Sequence, residues 1–70
     1  MTLKVENLPP CDEEQLRSVF EPFGIITSVV KKGSSAIIKF DEEEDCLAAI
    51  QNINGYEYFG KILSAHKINN

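Results

Sequence analysis

The stretch Glu13–Val29, EEQLRSVFEPFGIITSV, decides the fold because it holds a helix, its stop signal and the start of a strand. Four apolar residues recur at the spacing i, i+3, i+4 and i+7, namely Leu16, Val19, Phe20 and Phe23. This spacing predicts an amphipathic helix with one buried side. Asp12 is a favoured N-cap, and Pro22 with Gly24 closes the helix. The β-branched residues of 26–32 then predict a strand.

A further strand is predicted before this helix, and a β-hairpin after it. Residues 3–6 alternate apolar and charged side chains, which predicts a half-buried strand. Gly33 and Ser34 favour a tight turn, so residues 35–40 are expected to form the returning strand. Because side chains alternate along a strand, one face of it is apolar and carries Ala36, Ile38 and Phe40.

A second helix and a last strand complete the pattern. The acidic run 41–45 suits a helix start, where the helix dipole favours negative charge. An apolar stripe follows on this helix, made of Cys46, Ala49, Ile50 and Ile53. The dipeptide 54–55, Asn-Gly, is expected to end the helix. The aromatic loop 56–60 is expected to be satellite core under a single last strand over residues 61–68.

The element order strand, helix, strand, strand, helix, strand predicts an α+β fold over residues 1–70. Both helices and all strands have one apolar face, so the compact solution is a ferredoxin-like βαββαβ sandwich. Its four-stranded antiparallel sheet carries two helices packed on one face, and its other face meets water. The expected core is Leu3, Val5, Leu16, Val19, Phe20, Phe23, Ile26, Val29, Ala36, Ile38, Phe40, Ala49, Ile50, Ile53 and Leu63.

Composition indicates a globular domain with separated charges. The hydrophobic content is 43%, and the net charge of −4 argues against simple polyanion binding. Eight of the eleven acidic residues lie in the clusters 12–14 and 41–45, where the helices begin. The predicted molecule therefore has an acidic helix side and a mildly basic sheet side. It contains no apolar run of about 18 residues and no signal-peptide pattern, so an intracellular protein without a membrane span is expected.

The residues that could carry chemistry are few. The two cysteines, Cys11 and Cys46, suggest neither a disulfide framework nor a zinc site. One histidine and no nucleophile–base pair give no basis for an enzyme or a cofactor. Copper-carrying domains of similar strand order place Cys-x-x-Cys in the first loop, whereas only Cys11 lies there.

Over its whole length the chain resembles an RNA recognition motif. The segment LKVENLPP at 3–10 is similar to the family's first-strand signature, and 13–29 to its first helix and second strand. The segment FDEEEDCLAAIQNINGYEYFGKIL at 40–63 is similar to its second helix and the marks before its last strand. The resemblance implies single-stranded RNA binding on the open sheet face. It also implies a monomeric domain of a longer nuclear or cytoplasmic protein.

The chain departs from the family pattern at the rings on which such domains stack bases. Its first-strand ring position holds Lys4. When the third-strand signature KKGSSAIIKF, 31–40, is aligned to end on Phe40, its two ring positions hold Ser35 and Ile37. Two or three missing stacks would cost about 3–6 kcal/mol, so weak RNA binding of low specificity is expected.

The predicted RNA-binding residues combine lysines for phosphates, polar groups for base edges and an apolar seat for a base. They are Lys4, Val30, Lys31, Lys32, Ser35, Ile37, Lys39, Ser64 and His66, of which Lys31 and Lys32 are expected to flank the open face at the hairpin. Each could also be an ordinary solvated strand residue. The alternative function is protein interaction, through the apolar patch at Val30 and Ile37 or through the helix face. A relative that binds tryptophan-bearing peptides uses an Arg-x-Phe loop, and the loop 56–58 lacks the arginine.

Overall fold

The computed structural model describes residues 1–68, so the last two residues of the domain predicted over 1–70 lie outside the described part. The first helix, Glu13–Phe20, continues into a 3-10 turn over Glu21–Phe23. The elements in chain order are β1 (Thr2–Glu6), α1 (Glu13–Phe20), β2 (Ile26–Lys32), β3 (Ser35–Phe40), α2 (Glu43–Ile53), β4 (Glu57–Tyr58), β5 (Lys61–Ile62) and β6 (Ser64–Ile68).

The main sheet has the strand order β2-β3-β1-β6, and all of its pairings are antiparallel. Strand β1 lies in the centre, where it pairs with β3 on one side and β6 on the other. Helix α1 packs mainly on β2, and α2 packs on β3 and β6. The predicted ferredoxin-like arrangement, with both helices on one face, is confirmed.

The core lies between the two helices and the inner face of the sheet. Phe20 is completely buried, and its ring meets that of Phe40 edge to face at a centroid distance of 6.4 Å. The predicted core is confirmed, although five of its members are only partly buried: Val19, Phe23, Ile26, Val29 and Ile50. Three buried residues outside the predicted set also belong to it, Leu8, Cys46 and Ala65.

Local sequence signals fix the start of α1 and the connection that follows it. The Asp12 carboxylate accepts a hydrogen bond from the Gln15 backbone N–H at 2.8 Å, and Gln15 Oε1 accepts one from the Asp12 N–H at 3.0 Å. The two bonds form a reciprocal capping box in which the predicted Asp12 is the N-cap. Gly24 lets the connection approach α2 closely, since a Cβ there would lie 2.6 Å from the Cβ of Asp45.

The prediction of one strand over residues 61–68 is wrong. Residues Lys61–Ile62 pair with Glu57–Tyr58 in a separate two-stranded hairpin, and only Ser64–Ile68 joins the main sheet. The break falls at Leu63, which bonds backward to the end of α2. Its N–H donates to the Tyr56 carbonyl at 2.8 Å, and its carbonyl accepts from Gly55 at 2.7 Å. Those backbone groups are therefore engaged away from β1.

Only part of the aromatic loop 56–60 packs against the core as predicted. Tyr58 packs against the core, and burial raises the pKa of its phenol. Tyr56 is 46% exposed and Phe59 is 77% exposed, so the prediction for these two rings is wrong. Phe59 lies at the turn between β4 and β5, where its ring has only Tyr58 as an aromatic neighbour within the described residues, at 4.7 Å.

We expect Phe59→Asn to stabilise the domain by about 0.5–1 kcal/mol. Phe59 and Gly60 both have positive φ, 49° and 82°, as in the type I′ turns that favour Asn-Gly. Phenylalanine is strained there, whereas asparagine tolerates the left-handed region. Chemical denaturation measures the change. Tyr56→Asn is the control, because it removes a half-exposed ring without relieving a positive φ. An unchanged or lower stability of Phe59→Asn would show that the ring contact with Tyr58 outweighs the strain.

Candidate nucleic-acid interface

The sheet face opposite the helices presents rows of side chains that run across all four strands. One row, read from β2 to β6, contains Val30, Ile37, Lys4 and His66, because each residue is the register partner of the next. The neighbouring row contains Ser28, Lys39, Thr2 and Ile68. Toward the β2–β3 turn, Lys32 pairs with Ser35, and Glu6 pairs with Ser64. We call this surface the open face.

The structure brings eight of the nine predicted RNA-binding residues together on the open face. They are Lys4, Val30, Lys32, Ser35, Ile37, Lys39, Ser64 and His66. The two central positions, Lys4 and Ile37, are direct register partners on β1 and β3. Since side chains alternate along each strand, the sequence was sufficient to place these residues on one surface.

Lys31 does not join the open face. It is the register partner of Ala36, which is buried on the helix side of the sheet. Its Nζ donates to the Gly33 carbonyl at 2.8 Å, and its backbone N–H lies 3.5 Å from a carboxylate oxygen of Glu13. The neighbouring Lys32 points to the opposite side because successive residues of a strand alternate.

A shallow depression of about 300 Å³ lies on the open face, and the three predicted ring positions, Lys4, Ser35 and Ile37, are part of its lining. Ile37 and Val30 supply apolar surface, and Val30 is 44% exposed. Lys4 and Lys32 flank this apolar surface with cationic groups. The volume is at the lower end of the range for small-molecule sites. The full lining is Lys4, Val30, Lys32, Ser35, Ala36 and Ile37.

The charges of the open face are mostly positive, with one carboxylate among them. Glu6 Oε2 lies 3.7 Å from Lys4 Nζ, and Glu6 Oε1 lies 4.0 Å from His66 Nδ1. Among residues 1–68, Lys32 and Lys39 form no ion pair and are exposed. Sequence alternation placed Glu6 on this face, but only the structure shows that it lies between Lys4 and His66.

On the helix side, one ion pair ties the last strand to α2. Lys67 Nζ donates to Glu43 Oε2 at 2.8 Å. This hydrogen bond and the charge of Lys67 hold the pKa of Glu43 below its ordinary value of 4.5, and the same contact raises the pKa of Lys67. Lys67 is therefore engaged by the acidic helix, on the side away from His66 and Ser64.

A second concavity of about 300 Å³ lies on the helix side, between the ends of α1 and α2. It is lined by Val19, Pro22, Phe23, Asn52, Ile53 and Tyr56. Its lining contains no charged side chain, whereas Lys4 and Lys32 line the depression on the open face.

The described residues 1–68 contain no group of three or more His, Cys, Asp or Glu side chains arranged to hold a metal ion. Within the same range, neither helix has the length and apolar character that a membrane crossing needs.

The chain matches the family model of the RNA recognition motif over residues 3–64. That range includes both helices and extends from β1 to the first residue of β6. The chain belongs to the RNA recognition motif family.

The chain is also similar to particular proteins. The Uncharacterized RNA-binding protein C25G10.01 of Schizosaccharomyces pombe is 32% identical over 63 residues, and the match covers 79% of this chain and 21% of that protein. This chain thus spans about a fifth of the length of that curated relative.

Two solved structures show the shared fold. The RRM domain of S. pombe Puf1 superposes with a TM-score of 0.93 at 16% identity, covering 100% of this chain and 99% of that one. The Rna15 RRM with bound RNA (GU) superposes with a TM-score of 0.93 at 20% identity, covering 99% and 83%.

Proposed function

We propose that this domain binds single-stranded RNA on its open face, weakly and with low specificity when it acts alone. The observation that carries the proposal is the depression at the predicted ring positions. Ile37 and Val30 form its apolar floor, and lysines lie beside it. A base can rest on the apolar floor while Lys32 contacts a phosphate, and the three donors of Lys4 can reach a phosphate and the base edge. Lys39 extends the cationic surface into the next row of the face.

The absence of aromatic rings at these positions determines the expected affinity for RNA. Stacking contributes about 1–3 kcal/mol per base, so losing two or three stacks weakens affinity by roughly 10² to 10⁴. Van der Waals contact with Ile37 recovers only part of this loss. In the proposed setting, the domain is monomeric and acts in a longer intracellular protein, where neighbouring binding modules raise the overall affinity.

The direct test is an amide chemical-shift titration of the labelled domain with a pool of short random single-stranded RNA at low salt. The expected result is a cluster of shifts at Lys4, Lys32, Ile37, Lys39 and His66, weakening as salt is added because phosphate contacts release counterions. The amides of Val19 and Tyr56 serve as the internal control, since they line the helix-side concavity.

Two results would contradict the proposal. Absence of shifts at about millimolar RNA would mean an affinity too weak for a working module. Shifts confined to the helix side would move the contact away from the open face. The first result favours the alternative, a protein-interaction module whose partner contacts the helix-side concavity or the apolar patch at Val30 and Ile37.

A further inference from the structure

The open face holds a donor and an acceptor side by side on its central strand. Lys4 and Glu6 project from β1 on the same face, and Lys4 Nζ lies 3.7 Å from Glu6 Oε2. His66 on the neighbouring strand lies 4.0 Å from the other carboxylate oxygen. Glu6 is thus flanked by Lys4 and His66, next to the depression that Lys4 lines.

Lys4 and His66 orient the Glu6 carboxylate but leave it able to accept further hydrogen bonds. Both distances exceed the 2.7–3.2 Å typical of a hydrogen bond to oxygen. An ionised carboxylate is an acceptor only, and it can accept two bonds side by side. The Glu6 side chain is also 46% exposed, so its lone pairs are open to a ligand on this face.

This combination matches one base better than the others. The Watson–Crick edge of guanine offers the O6 acceptor followed by two donors, N1–H and the N2 amino group. Lys4 can donate to O6 while Glu6 accepts from both N–H groups. Uracil replaces the second donor with a carbonyl oxygen that the carboxylate repels. Adenine places a donor where Lys4 requires an acceptor.

The position of the base follows from the sheet register. Ile37 is the register partner of Lys4, so a base resting on Ile37 turns one edge toward β1. We propose that Lys4 and Glu6 form a guanine-reading pair, which gives an otherwise unselective surface one preferred base. The inference rests on the proposed RNA binding and names the residues that would add specificity to it.

The test compares seven-nucleotide oligouridylates with one central guanosine, inosine or adenosine, and all-uridine as the reference. Inosine keeps O6 and N1–H but lacks the N2 amino group, so it removes a single charge-assisted hydrogen bond. We expect the wild-type domain to bind the guanosine oligonucleotide about 10-fold more tightly than the inosine one. Fluorescence anisotropy at fixed low salt measures the ratio.

The Glu6→Gln variant separates base reading from charge. Its amide keeps one acceptor but presents a donor to the N–H groups, so the guanosine-to-inosine ratio should fall to about 2 or less. Affinity for all-uridine RNA should rise, because the substitution removes a negative charge from a face that binds phosphates. Glu14→Gln on α1 has the same charge change away from the open face and should keep the wild-type ratio.

The outcomes are distinguishable. Equal binding of guanosine and inosine by the wild type would overturn the reading pair while leaving RNA binding in place. A ratio that survives Glu6→Gln would overturn it as well, since the selectivity would come from elsewhere. Absence of binding to every oligonucleotide, with no amide shifts on the open face, would overturn the proposed function and this inference with it.

Discussion

Reversing two lysines of the open face, in Lys4→Glu with Lys39→Glu, should abolish RNA binding and leave the fold intact. The two side chains lie in adjacent rows of the face, so the reversals remove attraction at two points. Each lysine–phosphate contact is worth about 1 kcal/mol at 4 Å in water, and reversal adds a similar repulsion. Two reversals should therefore weaken binding about 100-fold or more. RNA titrations by anisotropy measure the loss, and an amide correlation spectrum checks the fold.

The matched control reverses two cations outside the open face, in Arg17→Glu with Lys61→Glu. Arg17 lies in the last turn of α1, and Lys61 lies in the separate β4–β5 hairpin. The control changes the net charge by the same amount, so it tests whether total charge alone explains the effect. Retained affinity in the first double variant, or equal loss in both, would remove the open face as the RNA-binding surface.

Replacing the ring at the centre of the core, in Phe20→Ala, should destabilise the domain by about 3–5 kcal/mol. Phe20 is completely buried and meets Phe40 edge to face, so truncation leaves a cavity between α1 and the sheet. A domain of 70 residues has a total stability of about 3.5–10 kcal/mol. The loss should therefore be a large fraction of the total stability, and a domain near the lower end of that range would be unfolded at room temperature. Urea denaturation followed by circular dichroism measures the free energy of unfolding.

The same truncation at the surface provides the control. Phe59 is 77% exposed at the β4–β5 turn, and Phe59→Ala removes the same ring without opening a core cavity. Its stability change should stay within about 0.5 kcal/mol. If the two alanine variants lost similar stability, the ring of Phe59 would be more important to packing than its exposure indicates.

Most of the architecture could be predicted because local patterns and tertiary packing agree. Helical spacing puts Leu16 and Phe20 on one apolar side of α1, and alternation gives β3 one apolar face. Both of these apolar surfaces are buried in the structure. The prediction of a single strand over residues 61–68 is wrong because the local pattern and the tertiary hydrogen bonding disagree there. An alternating run does not show which partner its backbone will bond, and Leu63 bonds to the segment after α2 rather than to β1.

The candidate site also has one part that the sequence predicts and another part that only the structure shows. Alternation alone predicts that Lys4, Ile37 and Lys39 face outward, and the absence of rings there is a fact of the sequence. The register that sets Ile37 beside Lys4, and Lys4 beside His66, depends on three strands far apart in the chain. No local pattern encodes those neighbours.

The sequence by itself determined the fold class, the core and the outward-facing residues, because periodicity of 3.6 or 2 assigns each side chain to a buried or an exposed side. The tertiary structure alone decided which outward residues are neighbours. It places Glu6 between Lys4 and His66. It also exposes Phe59 at a strained turn. These arrangements depend on strand register and backbone hydrogen bonding between distant segments, and they are set only when the whole sheet has formed.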